Sequence, residues 1–511
     1  MLCVSPARDP SGPCAVSKSP PLWRRSCLHL RCSVGACCVA LVGCATQVPQ
    51  VLTRQPVPES FVGHDAGPEQ VWPQPDWWLQ FRSPELSDFI ARARIDNRDL
   101  AIAAARVMEA RAQTMIQRAQ LFPQLSLQAQ GRRAASRDAQ PSSSPNSSSG
   151  NSLGLALGAT YEVDVWGLAQ GNLRAARETL KSARFAQEAV ALTITADVAN
   201  AYFSVLALRK RIANANEYIT AINAILAIIE LKVAAGKSSH LDIARERAQV
   251  ESVEAQLPLL QEQELEARVA LAVLLGQAPE MLEVKTTGSE DIRLPVVSPG
   301  LPSELLLRRP DVAQAEADLA SAHANLDAAR AAFLPRFALS GNDGFASTAI
   351  SALLHGPSVV WDYGRSLLQT VFDGGKLVGQ RDLARATQQE LIASYQRAVL
   401  SAYGDVETAL NQVKNNRDAG DHLEREVDAA RQAFGIAQLQ YRQGTTDLLT
   451  VLQSQQTLFS AQDQLAQITL ARMQAVVHLY QALGGGWIEQ PGERTQFTSA
   501  DCARGSAGPC M

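Results

Sequence analysis

Asp99 to Pro123 reads DLAIAAARVMEARAQTMIQRAQLFP, and Asp311 to Pro335 reads DVAQAEADLASAHANLDAARAAFLP. Aligned without a gap, the stretches share Asp99/Asp311, Ala101/Ala313, Ala103/Ala315, Ala105/Ala317, Ala110/Ala322, Ala112/Ala324, Arg118/Arg330, Ala119/Ala331 and Pro123/Pro335, nine identities in 25 positions. The match marks a duplication. In the second copy Val312, Ala315, Leu319, Ala322, Leu326, Ala329 and Phe333 step by three and four, a heptad seam on a helix. The first copy's seam, Leu100, Ala103, Val107, Ala110, Thr114, Gln117 and Leu121, is weaker because two of its members are polar. Both helices run into a proline, which cannot donate to a helix and pushes its predecessor toward extended geometry, so a strand is expected after each.

After Pro123 the period changes to two. Leu125, Leu127 and Ala129 alternate with Gln124, Ser126, Gln128 and Gln130, and Leu153, Leu155, Leu157, Ala159, Tyr161, Val163 and Val165 alternate with small or polar residues. The polar stretch Gln140 to Gly150 between them reads as an exposed loop, giving a β-hairpin over 124–165. The duplication predicts a second hairpin over 336–373, less regular, around Phe337, Leu339, Phe345, Trp361, Tyr363, Leu367 and Val371.

Beyond each hairpin the helical period returns. From Leu168 to about Leu231, Val198, Ala201, Val205, Leu208, Ile212 and their successors keep the three-four step. A continuous helix of that length spans roughly 95 Å, far beyond a globular domain. An offset of 208 relates Gly167 to Gly375, Gly236 to Gly444 and Gly276 to Gly484, places that suit helix ends. Returning helices follow Gly236 and Gly444. Their seams carry one charge each, Glu264 and Arg472, read as two exposed side chains in preference to a salt bridge between them. Pro258 should bend the first returning helix. The chain thus divides into a leader (1–43), a linker (44–85), repeat 1 (86–276), a proline-rich joint (277–302), repeat 2 (303–484) and a tail (485–511). Trp77, Trp78 and Phe81 read as tucking the linker against the body, with an exposed binding site as the other reading.

With 5% aromatics, 46% hydrophobic residues and heavy use of Ala, Leu, Gln, Glu and Arg, the composition leans toward long packed helices. A formal charge of −4 without a basic stripe argues against nucleic acid. No run of 18 apolar residues follows position 44, so a membrane-spanning helix is not expected. All nine cysteines lie at or before Cys44 or in the tail at Cys502 and Cys510, so the body uses neither disulfides nor thiolate metal sites. Arg24, Arg25 and Arg31 precede a short apolar run, a signal-peptide pattern. The run ends in Leu41, Val42, Gly43, Cys44, Ala45, which resembles a bacterial lipobox and makes Cys44 the lipid-bearing N-terminus.

No histidine pair at ligand spacing, nucleophile elbow or HExxH is present. Asp373, Gly374, Gly375, Lys376 looks like a phosphate loop but has Thr370 where that loop needs glycine, and a strand-to-helix turn explains it better. Alternating strands occur in soluble sheets too, but the export signal favours a membrane barrel. Open edges cannot sit in lipid and single-chain bacterial barrels begin at eight strands, so four strands demand a homo-oligomer, eight from two chains or twelve from three.

In combination, the lipobox at Cys44, Asp76 Trp77 Trp78 with Phe81, Leu121 Phe122 Pro123, Tyr161 to Gly167, its echo Phe372 Asp373 Gly374 Gly375, and Arg308 Arg309 Pro310 Asp311 Val312 resemble bacterial outer-membrane efflux lipoproteins. Those are the channel components of tripartite resistance-nodulation-division pumps. The resemblance spans about residues 44 to 488. It implies a mainly α chain of duplicated helical hairpins forming a periplasmic tunnel, with four β-strands per chain in a trimeric 12-stranded outer-membrane barrel. It further implies a non-enzymatic conduit with no cofactor beyond the lipid on Cys44, lodged in outer-membrane lipid and joined to a periplasmic adaptor and an inner-membrane pump. The tips near Gly236 and Gly444 would then form the periplasmic gate, with Asp242 and Tyr441 as latch candidates and Asp447, Thr450 and Gln453 beside them. Asp242 reads equally as a helix cap, and Asp447 more strongly so. Thr450 and Gln453 stand where some relatives carry an acidic ring, which argues against strong cation selectivity. A protein-secretion channel and a pore-free periplasmic scaffold are the alternatives.

Overall fold

The computed structural model of the chain describes residues 72–137, 147–288, 292–295 and 302–488. The leader, Cys44, Cys502, Cys510 and the centre of the 140–150 loop lie outside them. The elements run α1 (Pro84–Asp96), α2 (Arg98–Ala119), β1 (Gln124–Arg137), β2 (Ser147–Val163), α3 (Leu168–Ala234), α4 (His240–Leu274), α5 (Pro310–Ala331), β3 (Arg336–Ser347), β4 (Val359–Leu368), α6 (Lys376–Gln443) and α7 (Leu448–Ala482). Both expected strands start directly after Pro123 and Pro335. Repeat 1 opens on two helices where one was expected. Asn97 leaves helical geometry at ψ 132°, and its side chain accepts from the N–H groups of Asp99 and Leu100, ending α1 and capping α2.

α3 is the central element and packs against α1, α2, α4, α5 and α7. By length and composition alone it could cross a membrane, but half of its most apolar stretch is buried among its neighbours. That burial marks a core helix. The seam of α2 faces inward along its whole length, while Ile102, Met108, Met115 and Ile116 on its other side are exposed. α5 buries more than its predicted seam: Val312, Ala322 and Leu326 are buried with a second row, Ala317, Ser321, Ala324, Ala328 and Ala331. Two partners explain the two rows, because α5 lies between α3 and α6. Small residues let the first of these backbones come close. Gly171 of α3 leaves just 3.0 Å between a hypothetical Cβ and Ala328 Cβ.

The paired glycines all take positive φ: 81° and 93° at Gly167 and Gly375, 68° and 77° at Gly236 and Gly444, 67° and 83° at Gly276 and Gly484. The last pair also brings backbones together, Gly276 against the Asp96 carbonyl and Gly484 against the Arg308 carbonyl. Beside each contact a side chain reaches the end of the returning helix. Asn97 Nδ2 donates to Leu274 O at 2.8 Å, and Arg309 Nη1 donates to Ala482 O at 3.1 Å. Arg309 is held by Asp311 at 2.6 Å and Asp405 at 3.0 Å, so the charged part of the Arg-Arg-Pro-Asp motif is a joint between repeat start and repeat end.

Trp77, Trp78 and Phe81 are buried, as the tucked reading requires. Trp77 stacks on Tyr480 at 4.9 Å, and Phe81 meets Phe203 at 5.1 Å. Neither reading of Glu264 and Arg472 holds. Glu264 pairs with Arg209 at 3.1 Å and Arg472 with Glu424 at 3.4 Å, each bound to the long helix of its own repeat. α4 runs through Pro258 as one helix.

Candidate functional site

Two regions carry what this chain presents to its surroundings: the sheet at one end of the helices and the paired turns at the other. The sheet has order β1-β2-β3-β4, all antiparallel. Its register places Leu127, Leu157, Asp343 and Trp361 in one row and Leu125, Ala159, Gly341 and Tyr363 in the next. Alternation then collects Leu125, Leu127, Leu157, Leu339, Trp361, Tyr363 and Leu367 on one face, all exposed, with Arg133, Asn151, Asp343 and Arg365 among its polar interruptions. The opposite face is small and polar: Ser126, Gln128, Gly158, Ser340, Asn342 and Asp362. β4 ends at Leu368, so residues 369–373 of the expected hairpin form a turn. There Asp373 accepts from Gly375 and Leu377 N–H groups, both at 2.9 Å, which is the strand-to-helix turn expected in place of a phosphate loop.

At the far end α3 stops at Gly236, whose neighbour Lys237 donates to Lys232 O at 2.8 Å. α4 starts at His240, four residues after that glycine. Asp242 Oδ2 accepts from Ser239 N at 3.1 Å and Ser238 Oγ at 2.7 Å, so its cap reading holds. The Ser238 hydroxyl, then the Ser239 N–H, hold its carboxyl below the usual range. Asp447 caps α7 in the second tip, accepting from Thr450 N at 3.0 Å and Thr450 Oγ1 at 2.6 Å. Those bonds hold its carboxyl low and occupy Thr450 as a cap partner. Gln453 is exposed one turn on.

Tyr441 lies in the same cluster as Ile225, Ile229, Leu448 and Val451, which joins the two tips. Among the described residues its hydroxyl has no hydrogen-bond partner. Burial pushes its pKa up, and the Asp242 and Glu246 charges add to the rise while Ser238 opposes it. Thus Asp242 and Tyr441 are brought together without bonding each other. The cross-tip connection runs instead through Lys232, absent from the sequence reading. Its Nζ sits 3.5 Å from the centre of the Tyr441 ring and donates to Tyr441 O at 2.9 Å, placing a cation on the last carbonyls of α6. A lysine in the last turn of α3 was the available signal.

A cavity of about 570 Å³ opens beside Arg309, Asp405, Thr408, Gln412, His478 and Gln481. The guanidinium there is already committed to Asp311, Asp405 and Ala482. Among the described residues no three of His, Cys, Asp and Glu come together as a metal-holding group.

The family model described as "Outer membrane efflux protein" matches residues 89–277 and 301–485. The pyoverdine export outer membrane protein OpmQ of Pseudomonas putida is 37% identical over 453 residues, covering 88% of this chain and 96% of that protein. The cation efflux system protein CusC of Escherichia coli is 28% identical, covering 88% and 97%. The open state of the MtrE outer membrane channel of Neisseria gonorrhoeae superposes with a TM-score of 0.77 at 29% identity, covering 84% of this chain and 96% of that one.

Proposed function

Because the chain belongs to the outer membrane efflux protein family, we propose that three copies of it close their sheets into one twelve-stranded barrel and continue inward as a single helical tunnel. The protein is an outer-membrane efflux channel. The observation that carries closure between copies is a four-stranded sheet whose apolar face is exposed and whose two outer strands, β1 and β4, each have one unpaired edge, and the number three is what the family resemblance implies. In lipid every backbone N–H and C=O needs a partner, so those edges must meet copies of each other. The exposed apolar side of α2 suits the same subunit contact.

In this reading Cys44 carries the lipid, an adaptor and an inner-membrane pump meet the tips, and the channel passes solute without chemistry of its own. The tips form the gate, closed by the caps at Asp242 and Asp447 and by Lys232 across Tyr441. Cargo is chosen by the pump. Support comes from relatives that this chain matches over nearly their whole length and that are named for pyoverdine export and for cation efflux.

The test is the mass of the detergent-extracted, lipid-labelled protein and its conductance in a planar bilayer. A lipid-bearing trimer with stepwise currents is expected. A monomer that extracts without detergent and carries no current would leave the scaffold reading in its place.

A further inference from the structure

Glu246 lies one turn tipward of Val250 on α4, between the Tyr218–Phe459 cluster and the Tyr441 cluster. It is 0% exposed, and among the described residues neither carboxyl oxygen has a hydrogen-bond partner. Gln455 on α7 is 1% exposed, and among the described residues neither polar atom of its amide has a partner either. Gln249 Nε2 donates to Gln456 Oε1 at 2.7 Å, which sets α4 beside α7 at this level and puts Glu246 and Gln455 each within a turn of that contact.

Among the described residues no cation is paired with this carboxyl. The titratable groups facing it are phenols, Tyr218 from α3 and Tyr441 from α6. From Leu448 to Gln462 α7 has neither acid nor base. Elsewhere on α3, Lys232 is engaged by Tyr441 and Glu230 by Arg247 at 2.9 Å. On α4 itself Asp242 is held by Ser238 and Ser239, while Arg245 and Arg247 are exposed, as is Arg442 on α6. An ionised carboxylate with no counter-charge and no donor is not stable in such a place, whereas a protonated one is tolerated.

We propose that Glu246 is a proton-controlled switch of the periplasmic tip: protonated, it packs inside the closed four-helix coil, and its ionisation drives the helices apart to admit water. The inference rests on the conduit reading, in which these tips open. Burial raises the pKa of Glu246 to about 7 where it is packed in the structure, whereas a hydrated glutamate returns to about 4.3. The raised value fixes the sign. The closed tip binds the extra proton, so closure is favoured in full below the lower value and is lost as pH rises through the higher one.

The experiment is backbone amide exchange over the first turns of α4 in the full-length, lipidated, detergent-extracted protein from pH 5 to pH 7. Wild type is compared with Glu246→Gln and Glu246→Met, whose assembly is checked by mass. Removing a buried group that has no partner should not impair folding, which keeps at least the Met variant usable. The ratio of opening in wild type to opening in either variant should climb by about fortyfold across that range. Parallel profiles in all three proteins overturn the switch, whatever the current. A wild type that carries no current at any pH overturns the conduit instead.

Discussion

Asp242 and Glu246 are one helical turn apart on α4, and their surroundings give them opposite pH behaviour. Asp242 is stabilised as an anion by Ser238 and Ser239, so its contribution is present above its ordinary value of 3.8 and is lost as pH falls through its lowered one. Glu246 is stabilised as a neutral acid, and its contribution is lost as pH rises. Replacing Asp242 with Ala removes a cap and should weaken the first turn of α4 by about 1 kcal/mol at neutral pH, an effect that fades in acid. Amide exchange of residues 239–246 at pH 7 and pH 3 checks both the size and the fading. Lys232 and Tyr441 divide differently. Lys232→Met removes a cation from a ring face and from a helix end and should lower tip protection by roughly 1 kcal/mol. Tyr441→Phe removes a hydroxyl with no partner among the described residues, and should change protection by less than about 0.5 kcal/mol. If Tyr441→Phe proves the more damaging of the two, the hydroxyl latches across the subunits of the assembly.

At the scale of elements the duplication was the most legible feature. Its signals are local: seam spacing, a proline stop, and a glycine wherever a helix needs a left-handed residue. The break at Asn97 was readable too, since an asparagine just ahead of Asp99 and an apolar run is a cap signal. Glu246 was visible as a continuation of the Val250 seam by one more turn, with an acid where a hydrophobe belongs. What no spacing discloses is contact between residues far apart in sequence: Asn97 on Leu274, Arg309 on Ala482, Glu264 on Arg209. Those joints make a prediction that sequence alone would flatten. All six paired glycines look alike as helix ends, yet a side chain at Gly276 or Gly484 would meet a backbone carbonyl, while one at Gly236 would meet nothing within 4 Å. Alanine at Gly236 should therefore cost about 1 kcal/mol, for the left-handed backbone alone. At Gly276 or Gly484 it should cost at least about 2 kcal/mol and loosen the join between repeat start and repeat end. Thermal loss of the assembled species, followed by mass, should rank Gly236→Ala well above the other two.

For the whole molecule the question is which face of the sheet meets lipid. The helices of a single chain bury their seams within that chain, but the sheet buries neither face and leaves two edges open, so its stability must come from outside the chain. A membrane satisfies the mainly apolar face that carries Leu127, Leu157 and Trp361, and neighbouring copies satisfy the edges. Leu127 and Gln128 are adjacent residues on opposite faces of β1, which makes them a matched pair. Arginine at a lipid-facing site costs about 2 to 4 kcal/mol at the middle of a bilayer, whereas one facing the lumen remains in water. Leu127→Arg should consequently lower the yield of membrane-inserted trimer severalfold or more. Gln128→Arg should insert like the wild type and shift the current toward anions, because it adds one positive charge per subunit to the lumen wall. Membrane fractionation and bilayer recording separate the outcomes. Insertion lost in Gln128→Arg but kept in Leu127→Arg would reverse the face assignment, and insertion kept in both would mean that this sheet does not lie in lipid at all.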